Sequence, residues 1–408
     1  MRFEAPRGTH DILPDEQPRW ERVIRTIDEL CGLYGFGRIQ TPVFEDTELF
    51  ARTSGQGSDV VQKEMYSFTD RGGRSLTLRP EGTAPICRAY LEHGLQRSPQ
   101  PFKAYTIAPM YRYGRPQAGR EREHWQWSPE AIGSADPAVD AELIHLYAEL
   151  LRRLGISRFR LALNSIGDRD CRPAYVERLE AWLDEHDADL SEEARQKRRT
   201  SPLRVFDVKD ERVLAVLAGA PKIGEALCDA CREHFEQVRA FLDAYGIAFQ
   251  LEPTLVRGLD YYTRTTFEFI GEDIDLAIAG GGRYDHLLEE IGGPDTPGIG
   301  FGAGIERILL QAEAEGVAVG EPRRVDVFFA WEDGAPRDEV LRLMAALRRR
   351  GRAADTDYAG RSLRGQLTQA GRLGAETIVI AGQDAATVRR RGTEDIEVAY
   401  DRLEDALA

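Results

Sequence analysis

Three segments place charged side chains where a fold has no need of them. In Thr77-Leu78-Arg79-Pro80-Glu81-Gly82-Thr83 an extended run ends in a turn that sets a carboxylate beside a hydroxyl. Glu81 could hold an ammonium group there. A capped turn leading into a helix near Ala84 explains the same residues and is favoured on this segment alone. The second segment, Met110 to Trp127, reads as a hairpin with a Gly/Pro-rich loop carrying Arg112, Arg115, Arg120 and Arg122. Guanidinium groups grip phosphate oxygens in bidentate fashion, so such a cluster suits a triphosphate. The plainer alternative is a solvated hairpin partly neutralised by Glu121 and Glu123. In the third, Gly302-Ala303-Gly304-Ile305-Glu306-Arg307-Ile308, the residues Ile305, Ile308 and Leu309 define a buried helix face and Arg307 projects elsewhere. A cation in a first helical turn opposes the helix dipole, and a bound phosphate would account for it.

Other chemistries are missing. There is no G-x-x-x-x-G-K-[ST], no H-E-x-x-H and no G-x-S-x-G. The glycine run Gly298 to Gly304 lacks the βαβ context of a dinucleotide loop. Its glycines are expected to let a helix start pack closely against a sheet. Cys228 and Cys231 form a C-x2-C pair with His234 three residues on. A structural zinc needs four ligands and no second pair is visible, so no metal site is expected.

These segments need elements to position them. Ile24, Ile27, Leu30 and Cys31 predict an amphipathic helix over residues 18–34, followed by a strand from Phe36 to Val43 stopped by Pro42. Further strands are expected at 76–79, 102–107, 159–164, 266–270 and 276–279, and a helix from Pro137 to Leu154 ending at Gly155. From about 171 to 245 the β signals thin out and charge becomes dense, including Lys197-Arg198-Arg199, which marks a helical insertion. Residues 315–324 read as a linker. Beyond it, strands at 325–329 and 377–380 alternate with helices at 338–350 and 363–373, implying a small three-layer α/β domain.

Composition bounds the rest. A chain of 408 residues suggests two or three domains, and 42% hydrophobic residues can bury a core. A net charge of −15 argues against non-specific coating of nucleic acid. From Arg323 to Ala408, 15 Arg balance 15 Asp plus Glu, so the preceding 322 residues carry the whole −15. Local patches there could still meet an RNA. Five cysteines argue for reduced thiols rather than a disulfide framework. With no apolar run after Met1 and no membrane-length stretch, a cytoplasmic location without membrane attachment is expected.

The three segments, in this order and spacing, resemble the motifs of class II aminoacyl-tRNA synthetases. Motif 1 corresponds to Gly35 through Glu45, centred on Pro42 at a dimer interface, motif 2 to Tyr111 through Glu130, and motif 3 to Gly298 through Arg307. Leu255 through Thr263 and Ala279 through Asp285 are similar to the two signatures of the histidyl-tRNA synthetases, and Asp357 through Leu367 resembles that family's anticodon-binding domain. The resemblance implies an α+β catalytic domain over 1–322, with an antiparallel sheet flanked by helices and the insertion within it, and an anticodon-binding α/β domain over 323–408. It implies a homodimer acting on ATP with Mg²⁺, L-histidine and tRNA(His). Arg257, Arg112 and Arg307 would be catalytic, with Arg112, Arg120 and Arg307 on ATP. Histidine would meet Glu81, Gly82, Thr83, Gln126, Glu130, Arg257, Tyr261 and Tyr262. A neutral imidazole offers one donor and one acceptor, which a carboxylate and a phenol satisfy, so Glu130 and Tyr262 suit it. On a strand, one of Tyr261 and Tyr262 would face the core and the other the cleft. The hairpin loop departs from the family's usual pattern at Glu121 and Trp125.

The nearest competing reading is a synthetase-like regulatory subunit of ATP phosphoribosyltransferase, which binds histidine without charging tRNA. The presence of Arg257 and of the segment 325–381 disfavours it.

Overall fold

The computed structural model describes residues 3–55, 60–321 and 324–407. The chain divides into two units, Met1–Glu321 and Pro322–Ala408. The expected boundary between residues 322 and 323 falls on residues outside the described ones.

In the first unit, α1 (Gln17–Leu33) has Pro18 in its first turn and buries Val23, Ile27, Leu30 and Cys31 on one face. The expected strand from Phe36 to Val43 shortens to β1 (Gly37–Arg38). Pro42 has no N–H to give a ladder, and the buried Arg79 guanidinium takes the carbonyls of Thr41 and Pro42 at 3.0 and 3.3 Å. Next come β2 (Phe44–Asp46), α2 (Thr47–Thr53), β3 (Tyr66–Thr69) and β4 (Ser75–Leu78), whose strands form a small antiparallel sheet. After α3 (Thr83–Glu92), β5 (Phe102–Tyr111) and β6 (Glu123–Ile132) make the expected hairpin. Helix α4 (Pro137–Leu154) is capped by Asp136 and stopped by Gly155 in the left-handed region. Beyond β7 (Phe159–Ser165) lies the helical insertion, α5 (Arg172–Glu185), α6 (Glu192–Thr200), α7 (Glu211–Leu217) and α8 (Asp229–Ala244). Within it Lys197 pairs with Glu193 and Arg198 with Asp184. The unit closes with β8 (Gln250–Leu251), β9 (Thr263–Gly271), β10 (Leu276–Arg283), α9 (Leu287–Glu290), β11 (Gly298–Gly304) and α10 (Ile305–Glu315).

Eight strands join in the order β1-β5-β6-β11-β10-β9-β7-β8, antiparallel except for the outermost pairs at each edge. Side chains alternate across a strand, so each strand writes two faces at once. Odd positions Trp127 on β6, Phe267 and Phe269 on β9, and Ile299 and Phe301 on β11 are fully buried in one cluster with residues of α1, α4 and α10. Even positions on these strands and on β10 include Gln126, Ser128, Glu130, Glu268, Gly280, Gly282, Gly300 and Gly302. They belong to the opposite face.

The glycine run therefore does something other than expected. Gly298–Gly304 is strand β11, and the helix starts only at Ile305. Gly300 and Gly302 make room for Glu130 and Gln126 of the neighbouring strand β6, and Gly298 for Tyr284, rather than for a helix.

In the second unit β12 (Val327–Trp331) is flanked by β13 (Ala354–Thr356) and β14 (Thr377–Ala381) in parallel. Strands β15 (Ala385–Arg390) and β16 (Ile396–Ala399) extend the sheet antiparallel. Val327 and Phe329 pack with residues of α11 (Arg337–Arg349) and α13 (Tyr400–Ala406), and Phe328 and Ala330 with residues of α12 (Leu363–Arg372). Helices on both faces of the sheet give the three expected layers.

Candidate active site

The polar face of the large sheet floors a cavity of about 240 Å³. Its walls bring together Glu81, Thr83, Gln126, Arg112, Arg120, Arg257, Tyr261, Tyr262 and Arg307 from four separate stretches of chain. Four glycines empty the floor. A Cβ at Gly280 would collide with the Arg257 guanidinium, one at Gly300 with the Glu130 carboxylate, one at Gly282 would press on Tyr262, and one at Gly302 would lie 2.7 Å from the Gln126 amide. Gly280, Gly300 and Gly302 thus vacate the space that a polar side chain of the site occupies, while Gly282 lies tightest against the Thr265 carbonyl.

One end of the cavity is basic. Arg112 Nε donates to the Pro80 carbonyl at 2.7 Å, and Arg307 donates to the carbonyls of Gly119 and Ala277, both at 2.6 Å. Neither forms an ion pair among the described residues. Burial, together with Arg112 and Arg120 beside it, depresses the pKa of Arg307. Arg120 alone of the three has a carboxylate, Glu64 at 2.7 Å. His124 is driven down to about 3 by burial and by Arg112 and Arg307, so it is neutral. Of the other hairpin arginines, Arg122 lies over the Tyr113 ring, 4.0 Å from its centre, and neither Arg122 nor Arg115 lines the cavity.

The other end is acidic and phenolic. Glu81 is buried and accepts from the amides of Thr83 and Ala84 at 2.6 and 2.9 Å, capping α3 while lining the cavity. The capped turn and the carboxylate that lines the cavity are therefore one feature, with Gly82 inside the turn. Tyr261 and Tyr262 are both buried and both line the cavity. The expected division between core and cleft does not occur, because β9 begins only at Thr263 and the two tyrosines sit in the turn before it. Their rings are 4.5 Å apart. The structure places Glu130 not on the wall but directly behind it. Its two oxygens accept from Thr83 Oγ1 at 2.7 Å and Tyr284 Oη at 2.6 Å. Burial raises its pKa to about 8.

Arg257 lies between the two ends. It is ion-paired to Glu268, yet its buried Nε has no hydrogen-bond partner among the described residues. Glu268 also acts electrostatically on Arg307. An unpartnered buried N–H is costly unless something arrives to accept it.

Against known proteins, residues 8–308 match the family model described as histidyl-tRNA synthetase. The chain belongs to the histidyl-tRNA synthetase family. It is 46% identical to a histidine–tRNA ligase of Desulforamulus reducens over 94% of this chain and 92% of that one. The crystal structure of apo S. aureus histidyl-tRNA synthetase superposes with a TM-score of 0.82 at 36% identity, covering all of both chains. A Bacillus halodurans structure described as an ATP phosphoribosyltransferase regulatory subunit/histidyl-tRNA synthetase shares the fold, with a TM-score of 0.68 at 23% identity over 94% of this chain and 99% of that one. Fold alone therefore does not separate a synthetase from that regulator. Within this family frame, the sequence reading missed Tyr284 and Glu268. Both carried a signal: Tyr284 lies inside the glycine-rich signature, and Glu268 stands between Phe267 and Phe269, so its side chain leaves the core face. Glu306 was also missed. It lines the basic end, accepts from the Trp125 amide at 2.7 Å, and leaves Oε2 buried without a hydrogen-bond partner among the described residues. Burial and nearby Glu121 raise its pKa to about 7.

Proposed function

We propose that this chain is a histidine–tRNA ligase. The histidine carboxylate attacks the α-phosphorus of ATP, giving histidyl-adenylate and diphosphate. The terminal adenosine hydroxyl of tRNA(His) then takes the histidyl group and AMP leaves. One observation carries the reading. A single cavity holds arginines that lack anionic partners at one end and a carboxylate–phenol pocket at the other, with Arg257 between them.

Arg112, Arg120 and Arg307 hold the ATP phosphates, where Arg112 and Arg307 gain the counter-charge they lack. Arg257 offers its free Nε to the reacting carboxylate and α-phosphate, where negative charge develops. Glu81, Thr83 and Gln126 receive the α-ammonium group beside the Gly82 turn. Tyr262, with Tyr261 packed against it, meets one imidazole nitrogen and Glu130 the other. Thr83 and Tyr284 hold the Glu130 carboxyl in place. A carboxyl that titrates near 8 when unliganded gains a donor when imidazole N–H enters, which favours its charged form. Mg²⁺ fits the basic end, because Glu306 and Glu121 put carboxylates on that wall and the buried Glu306 Oε2 is unpartnered. Those two would hold it, and it would neutralise charge on the phosphate oxygens.

The Arg-rich module from 323 to 408 is assigned to the tRNA anticodon. A homodimer is supported by exposed Val43 and Phe44 of the motif 1 segment and Phe68 packed against Phe44, which a second subunit would cover. Among the described residues no helix is long and apolar enough to cross a membrane, in keeping with cytoplasmic work. The deciding experiment is histidine-dependent exchange of labelled pyrophosphate into ATP. Exchange is expected. Histidine binding without exchange would instead favour the regulatory subunit, which Arg257 and the 46% identity to a ligase already disfavour.

A further inference from the structure

The C-x2-C pair acquires in three dimensions the partners it lacked in sequence. Asp168 and Cys171, on the loop from β7 into α5, meet Cys228 and Cys231 at the start of α8, and one ligand atom from each lies within 4.8 Å of all the others. His234 is not among them; it is buried against Asp140 at 2.9 Å. The spacings suit a tetrahedral ion. With metal–sulfur bonds of about 2.3 Å, ligand atoms stand about 3.8 Å apart. Cys171 and Cys231 Sγ are 3.9 Å apart and Asp168 Oδ1 is 3.5 Å from Cys171 Sγ, while Cys231 Sγ donates to Asp168 Oδ2 at 2.9 Å, a hydrogen bond that a bound ion would replace.

The surroundings suit a thiolate-rich centre. Three thiolates and a carboxylate around a dication would carry a net charge of −2. Arg264 lies 3.3 Å from Asp168 Oδ2, and Arg172 is close enough to feel both Asp168 and Cys171. The Asp170 amide donates to Asp168 Oδ1 at 3.1 Å and the Asp168 amide points at Cys171 Sγ at 3.5 Å. Cys228 is the N-cap of α8 and Cys231 lies in its first turn, so one helix end presents both sulfurs. Such supporting contacts orient ligands in bound metal sites.

We infer that Asp168, Cys171, Cys228 and Cys231 bind one zinc-class divalent cation that ties the first residue of the helical insertion to its last helix. The clip stands directly behind the cavity, because Arg172, next to Cys171, donates to the Tyr262 carbonyl at 2.6 Å. This inference is independent of the function proposed above.

The full chain, expressed with zinc and desalted, is analysed for metal by mass spectrometry and then substituted with Co²⁺. About one zinc per chain is expected, with visible cobalt bands of a tetrahedral thiolate site. Cys171→Ser and Cys228→Ser should each weaken zinc binding by at least about tenfold. Cys31→Ala, at a buried cysteine of the main core, should leave it unchanged. The inference is overturned by zinc at background with no cobalt bands, by full zinc retention in both serine variants, or by a Cys171–Cys231 disulfide in chain prepared under reducing conditions. If the serine variants do not fold, the metal content and cobalt spectrum of the unsubstituted chain decide alone.

Discussion

The two faces of the eight-stranded sheet are written by alternate residues of the same strands, and they differ in every respect that matters. One face is aromatic and closed: Trp127, Phe267, Phe269 and Phe301 interlock with Tyr147 of α4 at ring separations of 4.7–6.3 Å. The other is polar and emptied by glycine. Stability resides on the first face and recognition on the second. Neighbouring residues such as Glu130 and Ala131, or Glu268 and Phe269, therefore answer to different demands.

That contrast can be broken by substitution. Phe301→Ala opens a hole under three aromatic rings and should cost about 3–5 kcal/mol in urea unfolding, the largest loss expected anywhere on the sheet. On the polar side of the site, stability and activity should part company. Arg257→Ala is expected to lower the exchange rate by about 10²–10³-fold, roughly 3–4 kcal/mol of barrier, with a much smaller change in unfolding midpoint. A rate within a few-fold of wild type would remove Arg257 from the role assigned to it.

Gly300→Ala tests whether the missing side chains matter. The new methyl meets the Glu130 carboxylate, and overpacking of this kind costs about 1–3 kcal/mol. The Michaelis constant for histidine should rise with it. If the variant keeps wild-type histidine binding, the glycine is not there to house Glu130.

A smaller effect is expected in the pH dependence of stability. Burial pushes the folded-state pKa of Glu130 up to about 8, above the ordinary carboxylate value of 4.5. The folded state therefore holds this proton across that window while the unfolded chain releases it. Stability contributed by this group is full below 4.5 and falls as pH rises toward 8. Glu130→Gln cannot titrate, so urea unfolding at pH 5 and pH 8 should show a flatter decline in the variant. An unchanged slope would mean that Glu130 is ionised in the fold. The smallest effect belongs to Arg122→Ala. Arg122 stacks on Tyr113 outside the cavity, so the Michaelis constant for ATP should stay within a few-fold of wild type, whereas Arg112→Ala should raise it strongly.

Much of this was legible in the chain, and unevenly so. Helices such as α1 and α4 follow from apolar spacing and from caps within a few residues, which is information local to the segment. The arginine hairpin was visible as charge with no structural task, and the Arg257–Tyr262 stretch through its likeness to a family signature. Glycines were harder. A glycine states only that a side chain is absent, and which neighbour fills the vacancy depends on strand register. Hence Gly298–Gly304 read as helix packing although it is the floor of a cavity. The length of β1 was misjudged for a similar reason, since the guanidinium that takes its carbonyls comes from Arg79, some forty residues away.

By itself the sequence determined the fold class, the helical insertion, the family and the arginines and tyrosines that line the cavity, because period, capping and motif spacing are properties of short segments. Only the tertiary structure decided that Glu130 stands behind the wall, that both tyrosines enter the site, that Glu268 answers Arg257, and that Asp168 and Cys171 complete a cluster with Cys228 and Cys231. Each of these joins groups far apart in the chain. Such pairings are fixed by which strands and loops become neighbours, and no local pattern records that.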